Sequence, residues 1–139
     1  MNRILSFFII IFIVGCEDQI VDECDTNNMT KEKITFSWIQ ENVFTPRCAV
    51  AGCHAGSNAA QNLNLSRDQA YAQLDSVASE QVPALLRIDP GNSSDSYLII
   101  KLEGSDDRIQ GGRMPQGSEL NQVTIDSIKV WIDRGALEN

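Results

Sequence analysis

Cys48-Ala49-Val50-Ala51-Gly52-Cys53-His54 gathers two thiols and an imidazole within seven residues. Two thiols that add across the vinyl groups of a porphyrin, beside an imidazole able to reach the iron from the same side, are what attachment of a c-type haem requires; the usual spacing is C-x-x-C-H. Cys53 and His54 keep that adjacency, but the spacer between the cysteines is four residues instead of two. The thioether from Cys48 therefore draws on a longer loop, which must fold back because five extended residues span about 17 Å. Ala49, Val50, Ala51 and Gly52 are small enough to bulge beside a ring edge.

His54 is the single histidine among 139 residues. Its solitude excludes bis-histidine ligation, a second His-ligated haem, a Ser-His-Asp triad and multi-histidine zinc sites. A sixth iron ligand has to be another residue type. Of the three methionines, Met1 falls in an N-terminal apolar run and Met29 in a polar stretch, while Met114 sits in Gly111-Gly112-Arg113-Met114-Pro115-Gln116-Gly117. An isolated Met is ordinarily core packing, but this Gly- and Pro-rich loop has no helical face to fill, so with haem present Met114 is the expected thioether ligand. Pro115 fixes its own φ and biases Met114 toward an extended backbone. Arg87 and Arg113 are candidate partners for the haem propionates, set against the plainer reading of solvated arginines.

Short helices must position these groups. Neither internal repeats nor an alternating strand system is visible, and the expected class is all-α. Residues 34–44 place Phe36, Ile39 or Gln40, and Val43 at helical spacing, with Pro46 expected to stop the helix just before Cys48. Ser66 with Gln69 has a capping-box pattern opening a segment from Arg67 to about Asp75, with Tyr71 and Leu74 on one side. Ile88-Asp89-Pro90-Gly91-Asn92 reads as a turn, after which Ser93 or Ser94 is expected to cap a largely buried helix through Tyr97, Leu98, Ile99 and Leu102 that ends at Gly104. Asn121 is the expected cap of the clearest helix, with Ile125, Ile128, Trp131 and Ile132 as its apolar stripe and Gly135 closing it.

The N-terminus speaks to location. One charge at Arg3 precedes an apolar run from Leu5 to Val14, shorter than the roughly 20 residues of a membrane-spanning helix and suited to a secretion signal. Its end, Ile13-Val14-Gly15-Cys16, resembles the lipobox of bacterial lipoproteins, which implies cleavage before Cys16 and lipid on its sulfur; more than one acyl chain gives a stable anchor. The expected organisation is a removed signal at 1–15, a lipid-anchored acidic linker at 16–32 and one helical domain at 33–139. Glu17, Asp18, Asp22, Glu23 and Asp25 crowd the linker, and Cys24 is left over there as a thiol with no assigned role. The whole chain carries 11 Lys and Arg against 19 Asp and Glu, a net charge of −8. Nucleic acid is therefore not an expected partner, and a redox protein with a basic docking patch is.

Taken together, the helix leading into C-x4-C-H, Asn62-Leu63-Asn64-Leu65-Ser66, Asp89-Pro90-Gly91-Asn92 with Ser96-Tyr97-Leu98, Arg113-Met114-Pro115 and the C-terminal Trp131-Ile132-Asp133-Arg134-Gly135-Ala136 resemble the cytochrome c family along residues 34–137. The four-residue spacer departs from the commonest pattern of that family. The resemblance implies a small helical domain around one covalent haem c, with first and last helices packed together. It also implies that Cys48, Cys53, His54 and Met114 hold the cofactor, with one-electron transfer between redox partners; the signal and lipobox add an expected location at a bacterial cell envelope, facing the periplasm or the exterior. Two readings of other classes stand beside it. In one, no haem binds and Cys48 and Cys53 close a disulfide in a lipoprotein binding module. In the other, haem binds without Met114 on the iron, leaving an open position for a sensor or peroxidase-like protein. The Asp106-Asp107 and Glu17-Asp18 pairs read as solvated surface and not as acid-base machinery.

Overall fold

The computed structural model describes residues 34–139; the expected signal and linker, with Cys16, Cys24 and Met29, lie outside them. Among the described residues the elements are helical, with two isolated backbone bridges, Asp75 to Ile88 and Ala78 to Leu86, and no strand.

Helix α1, Phe36–Ile39, opens at Thr35, whose extended backbone lets its hydroxyl accept the Trp38 amide at 3.0 Å. It runs on without a break into a π-helix, Gln40–Cys48. Pro46 lies inside that π-helix and does not stop it, contrary to the expectation from sequence. In an α-helix proline removes a donor and its ring meets the carbonyl four residues back. The wider π turn pairs residues five apart, as the Ala49 amide does with the Phe44 carbonyl at 2.7 Å. The chain is thus carried helically up to Cys48 itself. Gln40, buried on this segment, donates through Nε2 to the Leu65 carbonyl at 3.0 Å, tying the helix to the stretch that follows His54.

Helix α2 covers only Ala70–Leu74, and the capping box expected at Ser66 and Gln69 does not form: no side chain caps the helix. The Ser66 carbonyl takes the Gln69 and Ala70 amides instead, while the Gln69 side chain turns to the Asp68 carbonyl. Helix α3, Tyr97–Glu103, follows the turn at Asp89–Asn92 and a 3-10 turn at Ser93–Asp95. Neither Ser93 nor Ser94 is its cap; the capping position is Ser96, whose hydroxyl bonds the turn, donating to the Asn92 carbonyl at 2.9 Å and accepting the Asp89 amide at 2.9 Å. Gly104 ends α3 at φ 73°, a left-handed conformation that glycine adopts without penalty.

Helix α4, Gln122–Asp133, matches expectation: Asn121 Oδ1 accepts the Thr124 amide at 2.8 Å, and Ile125, Ile128, Trp131 and Ile132 are buried. These meet Ile39, Leu74, Ile88 and Ile99 in one core, each such side chain contributing about 1.5–3 kcal/mol on burial. Phe36 lies at its aromatic end, with ring centroids 5.1 Å from Tyr71, 5.8 Å from Trp131 and 6.3 Å from Phe44. Through Phe36 and Trp131, α1 meets α4. No helix among the described residues is long and apolar enough to cross a membrane.

Candidate functional site

The loop after the π-helix folds back as its length demands. The His54 amide donates to the Cys48 carbonyl at 3.1 Å, and the Cys53 amide to the Val50 carbonyl at 3.0 Å. The four spacer residues therefore close a ring whose two ends are Cys48 and His54, with Gly52 at φ 83° supplying the turn. The other side of His54 is fastened as well, since its carbonyl accepts the Leu65 amide at 2.8 Å. Its Nδ1 lies 3.0 Å from the Leu63 carbonyl. A carbonyl only accepts, so the proton of the neutral ring sits on Nδ1 and Nε2 keeps its lone pair. That is how proteins orient an imidazole for a metal.

His54 and Cys48 line a cleft with about 880 Å³ of empty space, open mouth included, and Met114 lines the same cleft from 60 residues further along the chain. Leu63, Leu65, Leu74, Leu98 and Leu102 supply much of its apolar lining. Cys53 is exposed and is not part of that lining. Cys48 and Cys53 are free thiols, so the disulfide loop of the haem-free reading is not formed here. Burial pushes the Cys48 thiol up to about 11, against an opposing pull from the Arg47 charge. At neutral pH it is a neutral SH, the form whose hydrogen and sulfur can both be added across a carbon–carbon double bond.

Met114 is delivered by a docked loop. Its amide donates to the Lys101 carbonyl at 2.8 Å, and the Gln110 amide donates to the Tyr97 hydroxyl at 3.0 Å. Arg113 donates from Nε to the Leu102 carbonyl at 2.6 Å and pairs with Glu119 at 2.8 Å. The Arg113 side chain lies over Gly104, where a Cβ would come within 2.7 Å of it. Arg113 is thus spent on the loop and is not at the cleft.

Arg87 is at the cleft, only 7% exposed. Its Nη1 donates to the Gln73 carbonyl at 2.8 Å and its Nη2 to the Gln61 carbonyl at 2.9 Å. No carboxylate among the described residues stands within ion-pair distance of it. Burial lowers its pKa, with the Glu80 charge working the other way. The solvated reading of Arg87 is therefore incorrect; it is a buried cation facing a hydrophobic space. Lys101, also buried and lining the cleft, is a second, its pKa likewise lowered by burial. Nothing in the sequence analysis singled out Lys101. The available signal was a lone charge inside the apolar run Tyr97-Leu98-Ile99-Ile100-Lys101-Leu102.

Among the described residues no group of three or more His, Cys, Asp or Glu side chains converges as a metal site; a porphyrin iron asks the chain for at most two axial ligands. The chain matches no family model, no curated protein and no solved structure.

Proposed function

We propose that this chain is a lipid-anchored, cytochrome c-like electron carrier that holds one haem c in the cleft. The observation that carries the reading is the convergence of Cys48, His54 and Met114 on one apolar cavity from two distant loops. The residues fit the group. Cys48 supplies a neutral thiol at the wall and Cys53 a second thiol at the exposed edge beside His54. His54 offers Nε2 with its tautomer fixed by Leu63, and Met114 offers a thioether from a loop fastened to α3. Arg87, a buried guanidinium with no carboxylate partner among the described residues, fits an anionic propionate, which would offset its burial.

Haem held there supplies one-electron exchange between ferric and ferrous iron, and His/Met ligation with burial favours the reduced ion. The chain's part is to orient, insulate and exclude water. The leucine wall lowers the local dielectric, the Leu63 carbonyl keeps the imidazole from turning, and the closed 48–54 ring holds the thiols beside it. No catalytic residue is assigned. A signal at 1–15 and lipid on Cys16 place the carrier on a membrane of the bacterial envelope, outside the cytoplasm.

The test is a pyridine haemochrome spectrum with the denatured mass of protein matured in a host whose haem ligase accepts a four-residue spacer between the cysteines. One haem of added mass and a c-type spectrum are expected, and His54→Ala is expected to abolish the normal holoprotein. Colourless, correctly exported protein with the mass of its polypeptide and lipid alone would falsify the proposal. Rapid carbon monoxide binding to the reduced protein at neutral pH would instead favour an open iron site over Met114 ligation.

A further inference from the structure

We infer that Lys101 is the positioning residue for the Met114 ligand: its ammonium and its backbone carbonyl together pin the loop at residues 110, 112 and 114. The inference rests on the haem reading above and deepens it. Lys101 Nζ donates to the Gln110 carbonyl and to the Gly112 carbonyl, each at 2.8 Å, and the Lys101 carbonyl accepts the Met114 amide at 2.8 Å. One helical residue therefore holds three alternate positions of the loop that ends in the thioether.

The loop needs such a fastening. It contains Gly111, Gly112 and Gly117, and glycine gives up the most backbone freedom on ordering. The lysine, for its part, has no other visible purpose. It is 8% exposed on a buried helix, with no carboxylate at ion-pair distance among the described residues. Burying an ammonium is costly, and a leucine or methionine there would continue the apolar stripe of α3. What the charge provides is a pair of charge-assisted hydrogen bonds, stronger than neutral ones, both directed at loop carbonyls. The aliphatic stem meanwhile fills the cleft wall, with Nζ 6.0 Å from the centroid of the Tyr97 ring.

The experiment uses the full-length holoprotein and its Lys101→Met, Lys101→Gln and Lys101→Arg variants. Three quantities are read: covalent haem content, the sulfur-to-iron absorption band of the ferric form, and the rate of carbon monoxide binding to the ferrous form. Lys101→Met keeps the stem and removes the donors. It is expected to retain covalent haem, to weaken the band and to speed carbon monoxide binding by at least about tenfold, the scale of losing charge-assisted bonds. Hydrogen exchange of the 110–114 amides should accelerate by a similar factor, a readout independent of the iron. Lys101→Arg should restore band and rate to within about threefold of the native values, a rescue that simple core filling would not produce. If Lys101→Met does not fold, Lys101→Gln decides, with an expected increase of at least about threefold. A folded variant without the ammonium that keeps the native band, rate and exchange overturns the inference and leaves the haem reading intact. A native protein without haem, or with haem but no sulfur-to-iron band, overturns the ligand assignment itself and this inference with it.

Discussion

At the scale of single residues, Cys48 and Met114 carry separable consequences. The folded chain holds the Cys48 thiol at about 11, above its ordinary 9.0. A raised pKa means the protonated form is favoured by folding. The contribution is therefore complete below about pH 9 and is lost as pH rises through about 11. Two units correspond to roughly 2–3 kcal/mol. Urea unfolding of the haem-free chain should lose about that much more stability over this range than its Cys48→Ala variant does. A thioether at Cys48 has no proton to lose, so the haem-loaded protein should show no such difference. Met114→Ala should keep covalent haem and lower the reduction potential by at least about 60 mV, a tenfold change for one electron; potentiometry showing an unchanged value would remove Met114 from the iron. At this scale the sequence singled out Cys48, His54 and Met114, which line one cleft, and Cys53, which is exposed outside its wall. Thiols, imidazole and thioether are rare side chains, so their positions stand out in the sequence. The burial of Arg87 and Lys101 was not legible there, because a cation is exposed or buried according to what packs over it, and that is decided by segments remote in sequence.

At the scale of elements, the contrast between α4 and the segments before it shows what pattern alone can specify. Asn121 and the Ile125, Ile128, Trp131, Ile132 stripe act through local spacing and burial, and the helix forms where they place it. Asn121→Ala should cost about 1 kcal/mol through loss of the Thr124 bond, and Ile128→Ala about 2–5 kcal/mol through loss of a fully buried side chain, both measured by chemical denaturation. The 40–48 segment was misjudged because proline's penalty is specific to the α pitch, and the chain avoids it by widening the turn. The Ser66 cap was misjudged because the side chain of Gln69 found a nearer partner. The connection after α3 adds an acid-sensitive feature. Asp106 is held down to about 2 by Arg108, which also pairs with Asp95 at 2.6 Å. A depressed carboxylate contributes above its ordinary 3.8 and loses that contribution as pH falls toward about 2. Asp106→Asn should therefore flatten part of the acid limb of a plot of thermal midpoint against pH. The effect is modest because the ion pair lies at the surface, where solvent screens it.

At the scale of the whole molecule, net charge bears on the proposed electron transfer. With 19 acidic against 11 basic residues, the chain should attract cationic oxidants and reductants and repel anionic ones. Stopped-flow rate constants with a small cationic redox complex should fall as ionic strength rises, and those with an anionic complex should increase, over the range in which the Debye length shrinks from about 30 Å to about 8 Å. Equal slopes for both would show that the docking patch does not follow the net charge. The −8 balance is legible from composition, whereas its distribution around the cleft mouth depends on the fold.

The ring closed between the Cys48 carbonyl and the His54 amide places a demand on biogenesis. Its backbone geometry is made by the polypeptide alone, so under the proposed haem attachment the loop that carries the two cysteines is set before the cofactor would arrive. An assembly apparatus that gauges the usual two-residue gap would pass this apoprotein by. On the haem proposal the native cell should possess a ligase that accepts the wider spacing, and deleting two residues from 49–52 should let a stricter ligase act on the shortened chain while straining the seat of the imidazole.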